Sequence, residues 1–127
     1  MPQISHLGRV MVPVSDQDAA IAFYTEKLGF SLIADVPFGD GERWVEVGPQ
    51  KDGPAIALVP PRGDYTAGRD TGIAFESPDP RADHAEMLEK GVDVDAEFMG
   101  GDGTVPLLFF FRDHEGNGLM LVETTRR

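Results

Sequence analysis

Residues 16–30 read DQDAAIAFYTEKLGF, and a related segment, DPRADHAEMLEKG, occupies residues 79–91. Positions of the first segment recur 63 residues later. The recurring residues are Asp16, Ala19, Ala22, Glu26 and Lys27, which return as Asp79, Ala82, Ala85, Glu89 and Lys90. After a slip of one residue, Gly29 and the run GDG at 39–41 return as Gly91 and GDG at 101–103. This shared spacing indicates that one supersecondary unit occurs twice in the chain.

Each copy of the repeat predicts one helix. Asp16 and Asp79 stand where an N-cap carboxylate would accept hydrogen bonds from the first turn. Gly29 and Gly91 follow the apolar periodicity and suit the left-handed position after a helix. We therefore expect helices over residues 17–28 and 80–90.

Strand-like segments surround both predicted helices. They cover residues 9–14, 30–36, 42–47 and 55–59 in the first half, and 72–76, 92–98, 105–111 and 119–123 in the second. Runs rich in Gly, Pro and Asp separate them and are typical of turns. The order predicts an α+β protein of two βαβββ modules, over about residues 4–60 and 71–124, joined by the Pro- and Gly-rich residues 60–70.

The bulk composition narrows the class of protein. The chain has 127 residues, 41% of them hydrophobic, which suffices for a packed core. Its net charge is −11 and no basic stripe occurs, so we expect no nucleic-acid partner. No apolar run of about 18 residues is present, so we expect no membrane span. The lack of cysteine and of a signal-peptide pattern favours a cytoplasmic location.

Several short pieces of the sequence together resemble the vicinal oxygen chelate superfamily. The matching pieces are VSD at 14–16, AFYTEKLGF at 22–30, KGV at 90–92, DHEGN at 113–117 and LMLVE at 119–123. This superfamily includes glyoxalase I, extradiol dioxygenases, fosfomycin-modifying enzymes and bleomycin-binding proteins. The resemblance implies a cupped, mixed eight-stranded sheet with a pocket on its concave side, and a homodimer. It does not imply one activity, because the fold hosts many chemistries.

Metal-dependent members of this superfamily place four ligands on inward strand positions. Alignment of the resembling pieces puts these positions at Arg9, at Ala57, at Gly72 or Ile73, and at Met120. An arginine does not ligate at neutral pH, and Ala, Gly and Ile side chains offer no donor. The Met thioether is a soft ligand, poorly suited to divalent Ni, Zn, Mn or Fe. We therefore predict no metal cofactor at these positions.

The histidines leave one alternative metal site open. The three histidines are His6, His84 and His114, and their positions place them on different parts of the fold. Each is more typical of a surface or structural residue than of a ligand. A site built from Glu46, Glu76 and His6 would be atypical, but the sequence does not exclude it.

An inward Arg9 would be a permanent cation in a mostly apolar cup, and a buried guanidinium needs an anion. That anion could be a carboxylate of the chain, from Glu46, Glu76 or Glu123, or part of a ligand. The candidate ligand-binding residues are Arg9, Trp44, Glu46, Phe75, Phe109 and Met120. Such a set suits a planar or partly anionic organic molecule, although the same residues would also describe an ordinary core.

Three functions fit these residues. The first is a metal-free binding protein that sequesters an aromatic or amphipathic metabolite or antibiotic. The second is a glyoxalase- or dioxygenase-like enzyme, a lyase, isomerase or oxidoreductase, with a divalent metal at an atypical site. The third is a metal-free enzyme in which Arg9 stabilises an oxyanion and Glu46 moves a proton. The sequence favours the first over the second and does not separate the first from the third.

Overall fold

A computed structural model describes residues 1–124 of the chain. Two compact units are present, one over Met1–Thr66 and the other beginning at Ala67. In the first unit the elements are β1 (Arg9–Pro13), α1 (Gln17–Ala22), a π-helix (Phe23–Lys27), β2 (Ser31–Phe38), β3 (Glu42–Gly48) and β4 (Ala55–Val59). In the second they are β5 (Asp70–Ser77), α2 (Pro80–Glu89), β6 (Asp93–Val94), β7 (Leu108–Arg112) and β8 (Gly118–Glu123).

The two units have the same strand topology. The sheet order is β1-β4-β3-β2 in the first and β5-β8-β7-β6 in the second. In each, the first and last strands pair in parallel and the remaining neighbours pair antiparallel. The predicted α+β class and the two βαβββ modules are therefore confirmed. The eight strands form two hydrogen-bonded sheets of four, one in each unit.

The internal repeat extends to the register of the parallel strands. Met11 pairs with Ala57, and Ala74 pairs with Met120. Each member of the second pair lies 63 positions after its counterpart, which is the spacing of the sequence repeat. The repeat thus preserves which side chains share a row of the sheet.

The helix ends follow the side-chain signals in the sequence. Asp16 Oδ1 accepts a hydrogen bond of 3.0 Å from the backbone N–H of Ala19, and Asp79 Oδ1 accepts one of 3.2 Å from that of Ala82. Gly29 has a positive φ of 74°, as a residue after a helix often does. The first helix differs from expectation in one respect, because it changes to π-helical geometry from Phe23 onward.

Two predicted strands are shorter than expected. The strand predicted over 92–98 is only Asp93–Val94, and the one predicted over 105–111 begins at Leu108. Pro106 lacks the N–H that a strand pair needs. Gly100 has a φ of +71°, and a Cβ there would lie 2.2 Å from the Pro106 carbonyl oxygen. The chain between Met99 and Leu108 therefore forms a wide turn, closed by an isolated bridge between those two residues.

Alternate strand residues form the core of each unit. Val12, Val45 and Leu58 are almost fully buried in the first, together with Tyr24 of the π-helix. In the second, the ring of Phe109 packs edge-on against His84 of α2, with centroids 4.9 Å apart. No helix within residues 1–124 is long and apolar enough to span a membrane.

Candidate functional site

One face of the first sheet carries the polar and aromatic candidates. Met11, Ala57 and Glu46 lie side by side on β1, β4 and β3. Arg9 and Trp44 project to the same face, because side chains two residues apart on a strand share a side. We call this surface the Trp44 face, defined by these five residues. Val45, which lies between Trp44 and Glu46 on β3, points into the core instead.

Arg9, Glu46 and Trp44 form a hydrogen-bonded cluster on this face. Oε2 of Glu46 accepts a bond of 2.8 Å from Arg9 Nε and one of 2.7 Å from Trp44 Nε1. Glu46 is only 7% exposed, whereas the Arg9 side chain is 48% exposed. Of the three carboxylates considered as partners of Arg9, Glu46 is the one that pairs with it. The hydrogen bond from Trp44 Nε1 to Glu46 also orients the indole ring.

The cluster leaves part of Arg9 available. Its single hydrogen bond within residues 1–124 uses Nε. The two terminal nitrogen atoms of the guanidinium form a planar fork that matches a carboxylate. Because the side chain is about half exposed, this fork can meet an anion from solvent.

A pocket of about 240 Å³ adjoins Trp44. Its lining residues are Met11, Phe38, Glu42, Arg43, Trp44, Val59, Pro60, Arg62 and Tyr65, all from the first unit. The rings of Phe38 and Trp44 meet edge-on, with centroids 6.1 Å apart. Tyr65 belongs to a tight turn closed by reciprocal backbone bonds with Arg62, of 3.0 and 2.8 Å. Its hydroxyl donates to the backbone carbonyl of Met11, which holds the turn against β1.

The charged residues at the rim of the pocket are paired. Arg43 binds Asp18 at 2.8 Å and Asp35 at 2.9 Å. The hydrogen bond from Arg43 holds the pKa of Asp35 below its ordinary value. Arg62 and Glu42 approach to 4.0 Å. The pocket therefore presents mainly apolar and aromatic surface.

Two aromatic residues that line this pocket, Phe38 and Tyr65, are not among the ligand-binding residues predicted from the sequence. Phe38 lies at the end of β2 and was expected in a turn, and Tyr65 lies in the segment expected to be only a linker. Phe38 is 53% exposed and Tyr65 37% exposed. An aromatic residue in an otherwise polar turn was the one available signal for both.

The candidates from the second unit occupy different surroundings. Phe109 is fully buried against α2, so contact with a ligand would require the core to open. Phe75 pairs with the buried Leu121, and its ring lies 6.5 Å from that of Phe111. Phe109 therefore belongs to the interior of this unit, whereas Phe75 is partly exposed. Met120 is partly exposed and alternates with the buried residues of β8.

The residues at the four positions of the superfamily's metal site do not fit a metal. The sequence places these positions at Arg9, Ala57, Gly72 or Ile73, and Met120. In the sheets Ala57 pairs with Met11 and Met120 pairs with Ala74, so the first and third positions are out of register with their strand partners. None of these residues is a carboxylate or an imidazole. Within the described part of the chain, no three His, Cys, Asp or Glu side chains are placed to hold a metal ion. The absence of a metal cofactor stays a prediction.

The histidines have local partners. His6 Nδ1 lies 2.6 Å from the hydroxyl of Ser5, and His84 Nε2 lies 2.8 Å from the carbonyl oxygen of Asp95. His114 Nε2 lies 3.2 Å from Glu115. These contacts are those of surface and structural residues.

The turn DHEGN at 113–117 has a structural role. Asp113 accepts bonds from the backbone N–H and the side-chain amide of Asn117, each 3.0 Å long. The side-chain oxygen of Asn117 accepts a 2.9 Å bond from the N–H of Gly68. Asp113 is 4% exposed and Asn117 is fully buried. The motif therefore fixes the chain before β8 and contributes no free polar group to a site.

Residues 6–121 match the sequence profile of the Glyoxalase/Bleomycin resistance protein/Dioxygenase superfamily. The chain belongs to this superfamily. The resemblance found in the short sequence motifs is thereby confirmed. The two sheets with the same strand order agree with the structures of other superfamily members.

Three similar proteins cover nearly the whole chain. YetH of Bacillus subtilis strain 168 is 33% identical over 94% of this chain and 99% of its own. The crystal structure of TnmS3, an antibiotic binding protein from Streptomyces sp. CB03234, is 34% identical, with a TM-score of 0.84 over 98% of this chain and 100% of that one. A superfamily member from Sphaerobacter thermophilus DSM 20745 is 28% identical, with a TM-score of 0.87 over 97% and 100% of the two chains.

Proposed function

We propose that this protein binds a small aromatic or amphipathic molecule, such as a metabolite or an antibiotic, at the Trp44 face and without a metal. One observation carries the proposal. A partly exposed indole shares a hydrogen-bond acceptor with an arginine that has two available nitrogen atoms, and the same indole lines a mainly apolar pocket. Few arrangements of surface residues combine an aromatic platform, a cation and a cavity, which together are typical of a small-molecule site.

The cluster gives the two binding groups a fixed relative position. Arg9 and Trp44 donate to the same oxygen of Glu46, so their donor nitrogens cannot lie farther apart than the sum of two hydrogen bonds. An acidic group on the Arg9 fork would therefore lie close to a ring stacked on Trp44. Aryl carboxylates and acidic phenols have this compact geometry. Glu46 acts as a positioning residue, because it orients both donors and offers little surface itself.

The antibiotic-binding relative supports the same class of function. TnmS3 is named an antibiotic binding protein, and this chain matches it over nearly its full length. A shared fold alone would not transfer a ligand, because function depends on the site. The Arg9–Glu46–Trp44 cluster and the adjoining pocket supply that site here.

Trp44 is the only tryptophan of the chain, so its fluorescence reports on the proposed site. Titration with 2-naphthoate should change this fluorescence in a saturable way, and calorimetry should give the same affinity. Arg9→Ala should weaken binding, since it removes the cation. Lys51→Ala, which removes one positive charge from an exposed turn, should leave it unchanged. A wild-type protein that does not respond to aromatic acids or to their neutral analogues would refute the proposal.

We also propose a homodimer in the cytoplasm. Several apolar residues are about half exposed; Val36 is 49% exposed, Leu88 60% and Val105 50%. A chain of this size would cover them more readily with a second copy. Light scattering at micromolar concentration should return about twice the 13.8 kDa of one chain, and a value near 13.8 kDa would contradict the dimer. Fractionation of the source cells would test the location.

A further inference from the structure

We propose that the pocket beside Trp44 is a subsite for a second, uncharged ring of the ligand, and that Phe38 and Tyr65 determine which rings it accepts. The ligand would then be an aromatic acid with an additional ring attached. This inference rests on the proposed binding at the Trp44 face and gives it a substrate class. The acidic group lies at Arg9, the first ring on Trp44, and the second ring in the pocket.

The pocket has the volume for a ring. An apolar cavity of about 150 Å³ is enough to bind benzene. The pocket here measures about 240 Å³, so a phenyl ring with a substituent would fit. Met11, Val59 and Pro60 supply apolar walls, and burial of a ring against them removes its surface from water.

The charges at the rim favour an uncharged group. Arg43 is held by two aspartates, and Arg62 lies opposite Glu42. An anionic ligand group would compete with Asp18 and Asp35 for Arg43. We place the anion at the Arg9 fork, whose two terminal nitrogen atoms make no hydrogen bond within residues 1–124.

The aromatic walls are held in place before any ligand arrives. The Tyr65 hydroxyl donates to the carbonyl of Met11, and the tight turn from Arg62 to Tyr65 is closed by two backbone bonds. Phe38 rests edge-on against Trp44. A preformed wall reduces the ordering cost of binding, so these two residues can discriminate between rings by shape.

Two related acids test the subsite. These are 2-naphthoate and 6-phenyl-2-naphthoate, which differ by one ring. Calorimetry on the wild-type protein should give an affinity about tenfold higher for the phenyl compound, because its added ring is buried. Val59→Phe places a ring in the pocket and should bring the two affinities to about the same value.

Two further variants supply a second test of the pocket and a control outside it. Phe38→Ala changes an exposed side chain at the end of β2 and should also reduce the ratio. Leu32→Phe adds a ring to an exposed position of the same strand outside the pocket, and should keep the wild-type ratio. Circular dichroism would verify the fold of each variant.

The outcomes separate this inference from the proposed function. If both acids bind and Arg9→Ala weakens both, but Val59→Phe and Phe38→Ala keep the wild-type ratio, the subsite is wrong and binding at Trp44 stands. Equal affinity of the wild type for the two acids would overturn the subsite in the same way. If neither acid binds the wild type, the subsite and the proposed function are both overturned.

Discussion

Replacement of Arg9 by Met should lower the free energy of unfolding by about 1–2 kcal/mol. The change removes one of the two hydrogen bonds that Glu46 Oε2 accepts. A hydrogen bond to a charged group contributes about 1.5–3 kcal/mol when it is well shielded. Since the Arg9 side chain is 48% exposed, solvent screens the pair and reduces its contribution to about 1–2 kcal/mol.

A double-mutant cycle measures this interaction directly. Arg9→Met, Glu46→Gln and the double variant would be compared with the wild type by urea unfolding, followed by far-ultraviolet circular dichroism. Glutamine can still accept a bond from the indole of Trp44 but carries no charge for Arg9. The double variant should therefore cost about 1 kcal/mol less than the sum of the single variants. Lys51→Met, at an exposed turn, is the matched control and should have little effect.

If the effects of the two single variants on the free energy of unfolding were additive, the reasoning would be refuted. A coupling energy below about 0.5 kcal/mol, with unchanged dependence on urea, is what independent sites give. It would mean that Arg9 does not stabilise the buried carboxylate and that the indole is not held through Glu46. The proposed orientation of Arg9 and Trp44 relative to each other would then lose its basis.

Three further predictions concern the surroundings of the site. Asn117→Ala should lower the free energy of unfolding in urea by about 2–3 kcal/mol, because it removes a hydrogen-bond donor to the buried Asp113 and the acceptor of the Gly68 N–H. A decrease of less than about 0.5 kcal/mol would contradict this role. The hydrogen bond from Arg43 lowers the pKa of Asp35 in the folded state, so the unfolded state binds a proton more readily. The stability that this pair contributes should therefore be present above the ordinary Asp pKa of 3.8 and be lost as the pH falls below it. Arg43→Gln should flatten that part of the stability profile, and an unchanged profile would contradict the pair. Gly100→Ala should lower the thermal midpoint, because its Cβ would meet the Pro106 carbonyl at 2.2 Å; an unchanged midpoint would show that the turn can shift.

Local signals in the sequence were sufficient for the module and its helices. An N-cap carboxylate and the N–H that it binds lie three residues apart, so Asp16 and Asp79 could be recognised without tertiary information. The repeat spacing also agrees with the register of the parallel strands, in which Met11–Ala57 and Ala74–Met120 are equivalent pairs. The strands predicted over 92–98 and 105–111 are shorter than their strand-like residues indicate, because Pro106 lacks an N–H and Gly100, Gly101 and Gly103 turn the chain with positive φ.

The candidate site was less predictable, because it depends on strand parity and on contacts between distant segments. Residues 107–111 are all apolar, so they show no alternation of apolar and polar residues. The sequence therefore does not assign Phe109 to the core or to the ligand side of the strand. Its burial against His84 depends on where α2 packs. Tyr65 reaches the pocket only because its hydroxyl binds the carbonyl of Met11, a contact between residues far apart in sequence. Trp44 and Glu46 could be grouped from the sequence because they alternate on one strand, and their contact with Arg9 agrees with that grouping.

The central claim is metal-free binding of an aromatic ligand at Trp44, and one titration tests it most directly. Wild-type protein stripped of metal with a chelator, and checked by plasma emission, would be titrated with 2-naphthoate by calorimetry and Trp44 fluorescence. We predict saturable binding at one site per chain, unchanged by added divalent metal and weakened by Arg9→Ala. Binding that appears only when a divalent metal is restored, or no binding in either state, would contradict the account.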